Sequence, residues 1–273
     1  MKISALISVY NKDNPVYFKY ALESLNNQTL KLGEIVLVSD GPLNNKLELI
    51  IKNFIKSSEI RVNRVPLTKN VGLGAALNEG IVKCNYSWIL RMDSDDVSHK
   101  DRLEKLVNEL KSNPNIDVLG SHIEEIDEES NDHISYRKVK LDHSNILKDM
   151  KIRNPMNHVS VIFKKKSVID SGKYPSFISF EDYALWSKMI GKGFIFKNLD
   201  ECLVSVRVGR NMLNRRRGFF YMKQEFLMQK NLYDNKIINY FEFIRNIFLR
   251  VMIRIFPNFV LKMLYKISRN YVR

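Results

Sequence analysis

Four short β-rich runs alternate with amphipathic segments over the first hundred residues, and nothing else in the chain constrains its fold so tightly. "KISALISVY" is apolar on both sides of a would-be strand, the pattern of a strand buried on both faces. "NPVYFKYALESLNNQ" follows, with Phe18, Leu22 and Leu25 at helical spacing, Asn14 placed to cap and Pro15 at the first helical position. Then come "EIVLVSDGP", "NKLELIIKNFIKSS", "IRVNRVP", "NVGLGAALNEGIVKC" and "YSWILRMDSDD". Strand and helix alternating at such short intervals predict an α/β fold on a parallel, doubly wound sheet. Such sheets bind ligands beyond the carboxyl ends of their strands. Tyr10, Asp40 and the cluster Asp93, Asp95, Asp96 all fall at those ends.

Beyond Asp96 the alternation continues less regularly. "SHKDRLEKLVNELKSNP" predicts an amphipathic helix, with Ser98 and Asp101 resembling a capping box. "DVLGSHIEEID" and "HVSVIFKKKSVIDSGKY" predict strands, the second followed by a helix. "SFEDYALWSKMIGKGF" predicts a helix with Tyr183, Trp186 and Met189 on one face, ended by glycine. Trp186 and Met189 read as core packing. At 273 residues there is room for one large α/β domain or two small ones. Cys84 and Cys202 are far apart and lack metal-ligand spacing, which favours a reducing, cytoplasmic setting. The apolar run Ile3 to Val9 is too short for the core of a signal peptide and reads as a first strand.

Three aspartates within four positions repel one another, so the stretch asks for a cationic partner. A solvated turn with a helix cap would tolerate them. A calcium loop of EF-hand type counts Asp93 as position 1 and Glu104 as position 12, but Val97 and Ser98 then stand where an oxygen ligand and a glycine are needed. The reading that satisfies the cluster best is a Mn²⁺ or Mg²⁺ site serving a nucleotide diphosphate. Carboxylates without His or Cys suit hard ions, which bind through one or two carboxylates plus phosphate oxygens. Arg91, just before the cluster, fits the same picture.

Five ordered stretches, "SVYNKDNPVYFKYALESLNNQ", "EIVLVSDGP", "KNVGLGAALNEGI", "RMDSDDVSHKDRLEK" and "SFEDYALWSKMIGKG", resemble the family 2 inverting glycosyltransferases of GT-A fold. The likeness runs from Ile3 to about Arg217, and "VRVGRNMLNRRRG" looks like the subgroup that builds bacterial O-antigens and exopolysaccharides. The resemblance implies a Rossmann-like, mostly parallel sheet flanked by helices. It implies a catalytic domain over 1–206, with a nucleotide-binding half (1–96) and an acceptor half (97–206), and a basic helical tail over 207–273. It also implies roles. Asp93 and Asp95 would contact the ribose and the metal ion, with Asp96 extending the motif. Asp40 would hold the uracil, Tyr10 and Asn11 would wrap the nucleoside, and Asn70 and Gly72 would line the nucleotide pocket. The expected reaction moves a hexose, glucose or galactose, from a UDP-sugar in β linkage to a sugar, GlcNAc, carried on undecaprenyl diphosphate.

In that family the base is the second acid of an "ED" pair at a helix start, here Asp182, with Glu181 orienting the acceptor or Asp182 itself. Transfer with inversion requires the attacking hydroxyl to lose its proton, and a carboxylate within hydrogen-bond reach can take it. Acids at a helix N-terminus also complement the helix dipole without any catalytic role. His158 reads as a strand-end histidine or as support near the acceptor or phosphates.

From position 207 onward fifteen Lys/Arg face three Asp/Glu, so +12 of the chain's +14 lies there. Such a tail seeks an anionic partner. Arg207 and Arg210 could grip diphosphate through their guanidinium groups, while Arg215, Arg216 and Arg217 equally suit a solvated basic face. From Ile237 on, Arg245, Arg250, Arg254 and Lys262 interrupt every apolar run, and Pro257 breaks it, so a spanning helix is not expected. Two basic helices rich in Phe, Ile, Leu and Tyr fit a membrane headgroup region, or a tail packed on the domain or in an oligomer. The expected location is the cytoplasmic face of the cell membrane. A nucleotidyltransferase would open with a glycine-rich basic loop where this chain has "SVYNKDNP". A nucleic-acid-binding protein has no need of an aspartate trio that repels phosphates, so no nucleic-acid partner is expected.

Overall fold

The computed structural model describes residues 1–177, 179–209 and 218–255. Arg210, Arg215, Arg216, Arg217 and the segment 256–273 lie outside the described residues. Chain order runs β1 (Ser4–Val9), α1 (Pro15–Asn26), β2 (Glu34–Ser39), α2 (Asn45–Ser57), β3 (Val62–Pro66), α3 (Leu73–Lys83), β4 (Trp88–Met92), β5 (Val97–Ser98) and α4 (Arg102–Ser112). It continues with β6 (Val118–Asp127), β7 (His133–Arg137), α5 (His143–Met150), a 3₁₀ turn at His158–Ser160, β8 (Ile162–Lys164), α6 (Lys165–Asp170), α7 (Glu181–Gly191), β9 (Phe196–Val208), α8 (Gly218–Asp234) and α9 (Tyr240–Ile255).

The strands form one sheet in the order β3-β2-β1-β4-β8-β6-β9-β5, with β7 paired to β6. The first four strands are parallel. β8 enters antiparallel between β4 and β6, and β6 returns to parallel pairing with β9. The alternation predicts a wholly parallel sheet, which holds for the first four strands; with β8 antiparallel the whole is a mixed, mostly parallel sheet, as the family resemblance implies.

Period-two alternation along β1 shows why both faces are closed. Ile3, Ala5, Ile7 and Val9 join one core with Phe18, Leu22 and Leu25 of α1, Leu47 and Ile51 of α2, and Leu103 and Leu106 of α4. Leu6 points the other way, into a second core with Ala76, Leu77 and Ile81 of α3 and Tyr183, Trp186 and Met189 of α7. Trp186 is fully buried there and packs edge-on against Phe196. The cap expected at Asn14 is present, its side chain accepting from the Val16 amide at 2.9 Å. The capping box expected at Ser98 is not. Ser98 pairs with Val204 in the sheet, its hydroxyl accepts from Gln28 Nε2 at 3.3 Å, and α4 starts only at Arg102 behind Asp101, which makes no side-chain cap bond.

Both cysteines are unpaired, Cys84 buried and Cys202 half-buried. Burial and the nearby Glu34 carboxylate push the Cys84 thiol up to about 12, so it is a packing residue. Among the described residues no helix is long and apolar enough to cross a membrane. The described part of the tail packs on the sheet domain. Buried Met228 and Leu232 of α8 enter the second core, and Asn246 of α9 donates to the Lys151 carbonyl and to Gln229 Oε1.

Candidate active site

The carboxyl ends of β1, β2 and β4 gather three loops around one cleft. In the loop after β1, Asp13 Oδ2 accepts from the Tyr10 amide at 3.0 Å and from the Ser94 hydroxyl at 2.7 Å, which ties this loop to the aspartate cluster. Tyr10 stays 41% exposed at the rim, with Asn11 exposed beside it; the Asn11 carbonyl accepts from Asn44 Nδ2.

After β2, Asp40 is buried and organises its neighbour. Its Oδ1 accepts from the Val71 amide at 2.7 Å, and its Oδ2 from the Gly72 amide at 3.1 Å and from Asn70 Nδ2 at 3.0 Å. The crossing is tight enough that a Cβ on Gly41 would stand 2.6 Å from the Asn70 nitrogen, at a φ of +88°. Gly72 leads into α3 at φ +85° and ψ 157°, a combination open to glycine and strained for other residues. Asp40, Asn70 and Gly72 are thus one unit.

After β4, Asp93, Asp95 and Asp96 offer carboxylate oxygens that all lie within 4.8 Å of one another. Arg91 compensates part of that charge. Its side chain is 1% exposed and its two terminal nitrogens both donate to the Asp93 carboxylate. Burial works against the charged guanidinium, but Asp93 prevails and holds its pKa above the ordinary value. Asp95 opens to solvent at the cleft while protein crowds it on its other sides. That crowding, with the charges of Asp93 and Asp13, pushes it up to about 7. Asp96 is buried and raised well above the carboxylate range by burial, then by Asp95 and Asp93; its Oδ1 accepts from the Arg207 amide at 3.0 Å. A second buried guanidinium, Arg102, donates to the carbonyls of Arg91 and Val159, both at 2.9 Å. Three oxygen-only groups, one open to solvent, form a donor set suited to a hard divalent cation.

Arg207 closes the far side. Its guanidinium lies over the ring of Tyr17 at 4.6 Å and near that of Tyr20 at 5.9 Å, and donates to the Asp95 carbonyl at 2.6 Å and to Asn131 Oδ1 at 3.1 Å. The side chain therefore braces the aspartate loop against α1 and the loop after β6.

The acid pair at the start of α7 lies within electrostatic reach of Arg91 and Asp93. Glu181 abuts α3, since a Cβ on Gly74 would lie 3.2 Å from Glu181 Cβ. Burial and the Asp182 charge push Glu181 up to about 7. Asp182 is half-buried. Its Oδ2 accepts from Asn154 Nδ2 at 2.6 Å and its Oδ1 from the Tyr183 amide at 2.7 Å, yet burial outweighs these bonds and raises it too. The positive charge on Arg91 offsets both acids of this pair, as it does Asp93, so one guanidinium serves both acid groups. His158 meets the Tyr174 hydroxyl at 2.8 Å and packs near Trp186. Burial and the Arg91 charge keep it neutral.

Asp13, Arg102 and Asn154 did not stand out in the sequence. Arg102 had a signal, because it occupies the apolar face of α4 one turn before Leu106. Asn154 precedes a proline in an irregular stretch and carried none.

A family model for glycosyl transferase family 2 matches residues 4–174. The chain is 35% identical to the amylovoran biosynthesis glycosyltransferase AmsE of Erwinia amylovora, over 98% of this chain and 99% of that protein. It is 33% identical to the UDP-Gal:alpha-D-GlcNAc-diphosphoundecaprenol beta-1,3-galactosyltransferase of Escherichia coli, over 97% of this chain and 95% of that one. S. aureus TarS 1-349, solved in complex with UDP-GlcNAc, shares the fold with a TM-score of 0.65 at 18% identity, over 85% of this chain and 66% of that one. Sheet, acid clusters and sequence agree on the class, a glycosyltransferase of GT-A fold. The chain belongs to glycosyltransferase family 2, and like its relatives it is a hexosyltransferase.

Proposed function

We propose that this enzyme moves a hexose, glucose or galactose, from a UDP-sugar in β linkage to a diphosphate-lipid-linked sugar, GlcNAc on undecaprenyl diphosphate, at the cytoplasmic face of the membrane. The observation that carries the reading is the placement of two acid groups, the aspartate triad and the Glu181–Asp182 pair, within electrostatic reach of the buried guanidinium of Arg91. One acid group is matched to a donor and the other to an acceptor. The Escherichia coli relative, whose name gives a UDP-galactose donor and a GlcNAc-diphosphoundecaprenol acceptor, supports the choice of substrates.

Asp93 and Asp95 would hold a Mn²⁺ or Mg²⁺ ion at the UDP diphosphate, with Asp96 behind them. When bound, the ion supplies positive charge that offsets the negative charge growing on the departing diphosphate. Asp40 with the Asn70–Gly72 loop forms the floor for the uracil, and Tyr10 and Asn11 cover the nucleoside. Asp182 accepts the proton of the acceptor hydroxyl as its oxygen bonds to the anomeric carbon. The bond from that carbon to the UDP oxygen breaks on the opposite face, and the electron pair leaves with UDP, inverting the centre. Asn154 and the Tyr183 amide fix the carboxylate of Asp182, and Glu181 orients the acceptor.

The test is a panel of UDP-hexoses with Mn²⁺ and a synthetic GlcNAc-diphosphate-lipid, with products read by mass. The reading expects one product heavier by a single hexose and none with Asp182→Asn. Uptake of UDP without transfer from any donor in the panel would overturn it.

A further inference from the structure

The two described tail helices carry an outer surface that the transfer chemistry does not use. In α9, Phe241 is 82% exposed, Ile244 49% and Phe248 63%. Their spacing of three and four residues puts them on one helical face. Phe243 packs edge-on against Phe226 of α8 at 6.0 Å and tilted against Tyr233 at 5.8 Å. Phe226 and Tyr233 are themselves nearly half exposed, so the aromatic surface continues from one helix to the other. Exposed Lys223 shares the outer face of α8 with Phe226, and Arg245 stands exposed beside Ile244.

The opposite face of α9 belongs to the protein. Asn246 is 5% exposed and bonded inward, Glu242 pairs with Lys151 at 2.9 Å, and Arg250 reaches Glu225 and the Ile152 carbonyl. The helix is therefore anchored on one side and displays aromatic and cationic groups on the other. Contiguous exposed apolar surface of this kind marks an interaction site. Its content selects the partner. Aromatic and aliphatic side chains interleaved with lysine and arginine match the boundary between acyl chains and anionic headgroups, and the region from 207 onward is basic by fifteen residues to three.

We propose that the outer face of α8 and α9, centred on Phe241, Ile244 and Phe248, docks flat on an anionic lipid bilayer. This deepens the membrane part of the proposed function by naming the surface. It is tested without donor or acceptor, so its failure leaves the transfer reaction untouched. The same helix contacts the carbonyls of Lys151 and Ile152, two or three residues from Asn154 and its bond to Asp182. Docking on this face sets the acceptor half of the cleft close to the lipid surface.

The experiment is flotation of the full chain with mixed phosphatidylglycerol–phosphatidylcholine vesicles and with pure phosphatidylcholine vesicles. Strong uptake is expected on the mixed vesicles and weak uptake on the neutral ones, with loss at high salt. Phe241→Glu/Phe248→Glu should lower uptake by about tenfold or more while keeping its circular dichroism and its affinity for UDP. Lys223→Glu, a milder exposed change, should lower it by about fivefold or more. Undiminished uptake by the double variant, or equal uptake by neutral vesicles, overturns the proposal. A dimer that the double variant dissociates, with no vesicle uptake by the parent chain, also overturns it and assigns the face to a second copy.

Discussion

Asp182 sits between opposing influences. The Asn154 amide and the Tyr183 backbone favour its charged form, whereas burial favours the neutral one. A base must be deprotonated to act, so raised carboxyls place the acid limb of activity above the usual carboxylate range. The rate falls as pH drops through that limb. Glu181 is held near 7 by burial and by the Asp182 charge, so it carries its proton over that limb, and Glu181→Gln should leave the limb in place. Asn154→Ala removes a bond to the ionised form and should move it to higher pH. Profiles of kcat/KM against pH for the two variants check the one shift and the absence of the other. Asp182→Asn should cost about a hundredfold to ten-thousandfold in kcat while UDP still binds.

At the scale of elements, legibility followed burial. β1, β2 and β4 were readable because each is a short β-rich run buried on both faces, and the helices between them keep clean apolar stripes. β9 was not. Its thirteen residues, "FKNLDECLVSVRV", mix charged and apolar side chains because only parts of it are buried. β7 is largely exposed and α5 spans eight residues, so neither carries a strong period. No local pattern specifies that β8 enters antiparallel between β4 and β6, because sheet order is settled by long-range packing. The same holds in the site. Strand-end acids were visible as residues, whereas the Asn154–Asp182 bond and the bracing of the aspartate loop by Arg207 arise only on folding. α9 shows the consequence for stability. Asn246→Ala would strip partners from the Lys151 carbonyl and from Gln229 in a buried setting, at a cost of about 1–3 kcal/mol. Urea unfolding of the full chain measures it, and a change below about half a kcal/mol would show that α9 is not integral to the domain.

For the whole molecule the acid clusters make stability depend on pH and on ligand. Glu181 and Asp95, each near 7 in the folded chain, and Asp96, also raised, hold protons that the unfolded chain releases in the ordinary carboxylate range. The folded state then binds more protons than the unfolded one, so stability falls as pH rises through about 7. The metal-free protein should therefore melt at a higher temperature near pH 6 than near pH 8, and Mn²⁺ with UDP should reduce that difference by compensating the ionised acids. Scanning calorimetry in a chelator, and again with both ligands, decides it. In the proposed function the crowded aspartates coexist because a dication and a diphosphate complete them. Isothermal titration of UDP into the intact chain, with Mn²⁺ and with chelator, tests it most directly. Uptake should be at least about tenfold tighter with Mn²⁺, a gain that Asp95→Ala abolishes. Equal affinity in both buffers, unchanged in Asp95→Ala, would contradict it.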